Sequence, residues 1–301
     1  MAARARLGVW WRMLRPFTLV ASITPVIGGT ALAYADGHFH VGRFLAFLLA
    51  AILIQSATNM FNEYFDYVRG LDTREHVGIA GTIVRDGVSP RLVISLAWAF
   101  FATAIALGLY ISATSSWWVF GAGLLCLGIA FVYSGGPRPL SSTPFGELAA
   151  GFTMGPVMMM LVYYTQALTV TAPAILASVP IGLLIGAILL ANNIRDVEAD
   201  RAGGRRTLPI VLGRDRAVGV LAGSFALAYI ITLALVATRH LTPWALLVLL
   251  SLPAAWRPVR LFRQEREPVR LHPAVKGVAQ LLARFGVLLV LGLLLSVWVS
   301  R

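Results

Sequence analysis

Thirteen acidic residues occur in this chain of 301, and four of them close two similar segments. Asp66 and Asp72 follow Asn59, Asn62 and Glu63, while Asp196 and Asp200 follow Asn192 and Asn193. In both segments an Asn stands four residues before the first Asp, which puts amide and carboxylate on one helix face. Asp200 lies four residues beyond Asp196, again on that face. Asp72 is six beyond Asp66, off the face in an unbroken helix, and Gly70 offers the place for the helix to end and turn Asp72 back. Clustered carboxylates repel one another unless a cation lies between them. Magnesium suits such oxygen donors: it keeps waters, takes a few carboxylates and completes its shell with substrate phosphate. The loops supply Arg69, Arg138, Arg195, Arg205 and Arg206, and a guanidinium grips phosphate oxygens two at a time. A solvated cap or a simple Arg pair would explain one segment; the repeated spacing asks for chemistry.

The elements that must position these groups follow from composition. Hydrophobic residues make up 58% and charged residues 13%, with a mean hydropathy of +0.79, against about 25% charged in a soluble domain. A soluble enzyme, a disordered chain and a disulfide scaffold are excluded, and the single Cys126 excludes a multi-cysteine metal site. Charge-free stretches run over Pro16–Ala35, Phe44–Asn62, Leu92–Pro137, Leu148–Ile194, Ala217–Thr238, His240–Trp256 and Phe285–Ser300. A membrane-crossing helix needs about 20 apolar residues. The third and fourth stretches are long enough for two helices each, turning near Ser112–Ser116 and Thr169–Pro173. The expected fold is all-α: one membrane-embedded domain over residues 1–301, an integral bundle of nine transmembrane helices. The eighth span is the weakest, carrying Pro253 with Pro258 just beyond.

With nine spans, 21 of the 25 basic residues fall on one side, which the positive-inside rule makes cytoplasmic. The N-terminus and both Asp segments are then cytoplasmic and the C-terminus outside. The net charge of +12, carried by 24 Arg and one Lys, therefore reports orientation in the cell membrane and not nucleic-acid binding. Ala33-Tyr34-Ala35 resembles a signal-peptide cleavage site, but the stretch before it is long and contains Pro25, so a retained first helix is expected. Gly151-x-x-x-Gly155 and Gly182-x-x-x-Gly186 read as close helix packing. His38, His40, His76, His240 and His272 lack ligand spacing and read as surface residues. Acids for a metal and arginines for phosphate, at the end of an apolar bundle, fit an amphiphilic diphosphate such as a polyprenyl diphosphate. A cation-coupled transporter is the competing class, although its site belongs near the bilayer midplane, not at helix ends.

The two Asp segments resemble the paired motifs of the UbiA-type membrane prenyltransferases. The likeness is greatest to the branch that acts on 1,4-dihydroxy-2-naphthoate in menaquinone synthesis. Asn62-Glu63-Tyr64-Phe65-Asp66 with Gly70 and Asp72 matches the first motif of that branch, Glu63 replacing its usual Asp. Asn192 to Asp200 followed by Gly204-Arg205-Arg206-Thr207-Leu208 matches the second, with Arg205 where Lys is common. Tyr133-Ser134-Gly135-Gly136-Pro137-Arg138-Pro139-Leu140, with Gly146-Glu147 after it, resembles a third stretch. Arg15-Pro16-Phe17 and Leu271-His272-Pro273 also match in place, with His272 where Asn is usual. Arg206-Thr207-Leu208-Pro209-Ile210 lacks the second Arg of the 4-hydroxybenzoate branch.

The resemblance implies nine helices around a central cavity. It implies Mg2+, two ions bound with the diphosphate, held by Asn62, Asp66, Asp72, Asn192, Asp196 and Asp200. Asp66 and Asp196 are then catalytic through the metal. The polyprenyl cation left by the diphosphate is shielded from water and stabilised by an aromatic face, first of all Tyr133, with Phe65, Phe145 and Tyr164 behind it. An aromatic acid attacks that cation, 1,4-dihydroxy-2-naphthoate losing carbon dioxide; 4-hydroxybenzoate and homogentisate are the alternatives. Gly135 and Gly136 would leave room for a two-ring acceptor beside Tyr133. Arg69, Arg138, Arg195 and Arg205 are substrate-binding candidates, as are Asn59 and Asn193, which equally suit helix–helix hydrogen bonds. Arg15 either faces substrate or anchors the cytoplasmic end of the first helix.

Overall fold

The computed structural model describes residues 2–72 and 81–299; Arg74, His76 and Arg301, counted above, lie outside them. Every regular element among the described residues is helical. The helices are α1 (Ala2–Leu14), α2 (Pro16–Ala35), α3 (Val41–Val68), α4 (Thr82–Asp86), α5 (Pro90–Thr114), α6 (Trp118–Ser134) and α7 (Gly146–Phe152). After a π-helical turn at Thr153–Val157 come α8 (Met158–Ala167), α9 (Ala172–Arg195), α10 (Val197–Ala202), α11 (Leu208–Leu212) and α12 (Arg214–Ala237). A 3-10 stretch at Pro243–Ser251 leads into α13 (Leu252–Gln264), and α14 (Pro268–Val299) follows.

Eight helical segments among the described residues are long and apolar enough to cross a membrane. The stretch expected to supply the fourth span is α6, at 17 residues about 26 Å long at the α-helical rise. Ser134-Gly135-Gly136-Pro137 ends it early, because a Gly-Gly-Pro run cannot continue a helix. The weak eighth span is Pro243–Gln264, its first half wound as a 3-10 helix. The expected turns fall at Ser115–Trp117 and Leu168–Thr171.

The contacts divide the chain into two compact units. The first comprises Met1–Leu19 and Ala46–Leu140, around Phe61, which is fully buried. The rings of Phe101, Trp98 and Phe131 meet Phe61 edge-on at 5.0, 5.1 and 5.3 Å, an arrangement that adds to the area each ring buries. Arg15 separates α1 from α2. The right-handed α conformation is disfavoured before Pro16; Arg15 leaves it for a left-handed φ of 48°, not for the extended region that is usual before proline.

The second unit comprises Val20–Leu45 and Ser141–Arg301. Its centre is α9, where Ile181, Leu184, Ile185 and Ile188 are buried and to which α7, α12 and α14 pack. Glycines bring α7 and the π-helical turn against α9: a Cβ on Gly155 would lie 2.3 Å from Gly182 Cα, and one on Gly186 3.0 Å from the Glu147 carbonyl. Helix α2 is part of this core, Gly29 abutting the Met159 carbonyl and Val162. Large apolar side chains such as Leu125, Ile230, Val287 and Trp298 stay exposed, the surface a lipid-facing helix presents.

Candidate active site

The first Asp segment is the end of α3. Asn62 and Asp66, half-buried, share a face as expected. Gly70 has a left-handed φ of 70°; Leu71 N–H donates to the Asp66 carbonyl at 2.9 Å and Gly70 N–H to that of Tyr67 at 3.0 Å. This is a Schellman closure, and it brings the Asp72 N–H back to the Asp66 carbonyl at 3.3 Å. Arg15 Nη1 donates to Asn62 Oδ1 at 3.3 Å. Asn59 is buried and donates to the Leu14 carbonyl and to Thr18 Oγ1, both at 3.0 Å. Its hydrogen bonds hold the Arg15 break against α3.

Glu63, one residue from Asn62, points elsewhere. Its buried carboxylate accepts from Thr82 Oγ1 at 2.6 Å and from Ile83 N–H at 2.9 Å, fastening the start of α4. Arg69 donates to the carbonyls of Ser134 at 2.9 Å and Gly136 at 2.7 Å, and lies over the Phe65 ring at 5.3 Å. The third stretch is thereby tied to the first segment by a guanidinium fork. Tyr133 is half-buried and Arg138 exposed. The idea that Gly135 leaves room for a substrate is corrected: a Cβ there would meet the Phe131 carbonyl at 2.9 Å and its ring at 3.1 Å, so its smallness serves helix termination. Gly136, with open space around it, takes a left-handed φ of 82°.

The second Asp segment spans the junction of α9 and α10. The helix breaks at Asp196, yet Asp196 N–H still donates to the Asn192 carbonyl at 3.0 Å and Asp200 N–H to that of Asp196 at 2.8 Å. The i,i+4 row therefore persists through the break. Arg195 grips both oxygens of Asp196, with Nε at 2.6 Å from Oδ1, and its Nη1 meets His272 Nδ1 at 3.4 Å. The surface reading of His272 is thus corrected: it is half-buried against a site arginine, whereas His38, His40 and His240 are exposed. Arg205 pairs with buried Asp200 at 3.1 Å. Gly204, at φ 72°, closes this segment as Gly70 closes the first, with Arg205 N–H on the Asp200 carbonyl at 2.9 Å and Gly204 N–H on that of Arg201 at 3.1 Å.

Asn192 donates Nδ2 to the Ile188 carbonyl at 3.1 Å. Asn193 donates Nδ2 to Oε1 of buried Glu147 at 2.8 Å, a partner that spacing along the chain did not reveal. Phe145, offered above as a reserve aromatic, is exposed, and Tyr164 is half-buried. Among the described residues no three His, Cys, Asp or Glu side chains gather into a group able to hold a metal. The donor set of each segment, two carboxylates and one amide oxygen, fits magnesium, which draws on few protein ligands. A carboxylate has about four lone-pair sites and the Arg195 fork uses two, so Asp196 is oriented without being saturated.

Membrane-length helices, some of them ending in oxygen donors beside arginines, define a multi-pass membrane protein. Within that class, the chain belongs to the UbiA prenyltransferase family, whose pattern matches residues 22–274. It is 46% identical over 96% of its length to the 1,4-dihydroxy-2-naphthoate octaprenyltransferase of Bacillus subtilis, covering 93% of that protein. It is 33% identical over 86% of its length to the Mycobacterium tuberculosis enzyme of the same name, covering 88% of it. In fold it is similar to a UbiA homolog from Aeropyrum pernix, with a TM-score of 0.69 at 17% identity, covering 91% of this chain and 97% of that one. A UbiA homolog from Archaeoglobus fulgidus bound to GPP and Mg2+ gives a TM-score of 0.61 at 18% identity, covering 93% and 99%.

Proposed function

We propose that the chain transfers the prenyl group of a polyprenyl diphosphate to 1,4-dihydroxy-2-naphthoate, releasing diphosphate and carbon dioxide and giving demethylmenaquinone. The observation that carries this is the 46% identity over 96% of the chain to the Bacillus subtilis enzyme. The family match, running through both Asp segments, supports reading the whole chain as one prenyltransferase domain.

Asn62, Asp66 and Asp72 would hold one magnesium ion, and Asn192, Asp196 and Asp200 a second. Bound magnesium supplies positive charge that stabilises the departing diphosphate. In the second unit Arg205 and Arg195 hold their aspartates in place and exposed Arg206 is available to phosphate oxygens; in the first, exposed Arg138 is available in the same way. Arg15 fixes the Asn62 amide, and Arg69 fixes the backbone that follows Tyr133. Tyr133 offers the prenyl cation an aromatic face, and the apolar helices exclude water from it. In the membrane the chain crosses nine times, α6 included, with its N-terminus and both Asp segments cytoplasmic and its C-terminus outside; the distribution of arginines supports this.

The test is product analysis by mass spectrometry, with membranes given polyprenyl diphosphate and equal concentrations of 1,4-dihydroxy-2-naphthoate, 4-hydroxybenzoate and homogentisate. The naphthoate product is expected to predominate. Faster consumption of hydroxybenzoate or homogentisate would keep the prenyltransferase and remove the naphthoate assignment.

A further inference from the structure

Glu147 lies outside both Asp segments and has no part in the scheme above. It stands in the first turn of α7, where free backbone N–H groups favour a negative charge, and it is only 6% exposed. Its Oε1 accepts from Asn193 Nδ2 at 2.8 Å, and its Oε2 is buried with no hydrogen-bond partner among the described residues. The contact is imposed from below. Backbone-to-backbone packing at Gly151, Gly155, Gly182 and Gly186 seats α7 and the turn after it directly on the middle of α9, and an added Cβ at these positions would separate the pair.

The pairing settles the orientation of Asn193. With the amide nitrogen donating to Glu147 Oε1, the amide oxygen is the end of Asn193 left to meet anything else. An ionised diphosphate only accepts, so an amide oxygen cannot recognise it by hydrogen bonding. A hydroxylated aromatic ring can donate to it.

We propose that Asn193 Oδ1 binds a hydroxyl of the aromatic acceptor and that Glu147 is the positioning residue that turns this oxygen outward. The proposal rests on the aromatic prenyl transfer above. Initial-rate kinetics on purified N193A, E147A, E147Q and the N193A/E147A double variant test it, each substrate and Mg2+ being varied in turn.

Loss of one neutral hydrogen bond corresponds to about tenfold at most. N193A and E147A are therefore expected to raise KM for the dihydroxynaphthoate about tenfold, leaving the polyprenyl diphosphate KM and the Mg2+ requirement unchanged. E147Q, which keeps an acceptor oxygen for Asn193, restores most of the affinity. The double variant is no worse than either single one. Additive effects, an unchanged acceptor KM, or a shift in diphosphate KM or Mg2+ requirement would overturn it. Where E147A fails to fold, N193A and E147Q decide. Wild-type protein that does not prenylate the naphthoate refutes the parent reading instead.

Discussion

Arg15 Nη1 donates to Asn62 Oδ1 at 3.3 Å from a backbone held in the left-handed region. The two features act in opposite directions. A non-glycine residue there carries about 1–2 kcal/mol of strain, while its side chain orients the amide ahead of Asp66. Arg15→Gly relieves the strain and removes the guanidinium. Its thermal midpoint should stay near the wild type's while turnover falls about ten- to a hundredfold, the value of one charge-assisted hydrogen bond. Differential scanning fluorimetry beside a prenyl-transfer assay checks the two arms.

Asp66→Ala and Asp196→Ala should each lower turnover by at least 10²–10³-fold, the usual order for removing a charge-stabilising group. Both variants should still purify as dispersed, helical membrane proteins. Excess chelator should silence the wild type and added magnesium restore it. Full activity in chelator would refute the metal assignment.

Glu63 sits inside the first motif but serves as an anchor. Glu63→Ala leaves the Thr82 hydroxyl and Ile83 N–H unpartnered, costing about 1–3 kcal/mol for each buried group, and should lower the thermal midpoint clearly. Glu63→Gln keeps an acceptor and should leave the magnesium titration where it was. A shift in that titration would instead make Glu63 a ligand.

Gly155→Ala forces a Cβ to within 2.3 Å of the Gly182 backbone. Overpacking of this kind costs about 1–3 kcal/mol or more, and rigid backbone leaves no flexible side chain to yield. Gly123→Ala, at a position with open space, is the control that should change nothing. Melting curves in detergent compare them.

Orientation can be read with a membrane-impermeant thiol reagent in a Cys126→Ala background. Cysteine at Gly37 should react from outside the cell and cysteine at Glu267 only after the membrane is opened. The reverse pattern would invert the topology.

The helices were readable because crossing a bilayer leaves a coarse signal, a run of some twenty uncharged residues. The carboxylate rows were readable because i,i+4 spacing survives even the break at Asp196. Partnerships set by tertiary packing were not. Nothing along the chain says that Arg69 reaches the Ser134 and Gly136 carbonyls, that Glu63 fastens α4, or that His272 meets Arg195. The Glu147–Asn193 pair depends on glycines whose packing role was apparent but whose chemical consequence was not. Gly135 misled for the same reason: the neighbour that fills its missing side chain is the ring of Phe131.

The π-helical turn at Thr153–Val157 sets the phase of its whole span. Glu147, Gly151, Gly155, Met159 and Tyr163 are all buried, a row that repeats every four residues. In an α-helix of 3.6 residues per turn such a row slips about 40° at each step and would wind off its face. One wider turn takes up the slip, so Glu147 meets Asn193 near one end while Tyr163 reaches Asp36 near the other. Removing a single residue from this turn, restoring an unbroken helix, would swing the Tyr163 end by roughly 100° relative to Glu147. The span thus works as two dials on one shaft, each reading correctly only because the coupling between them is offset.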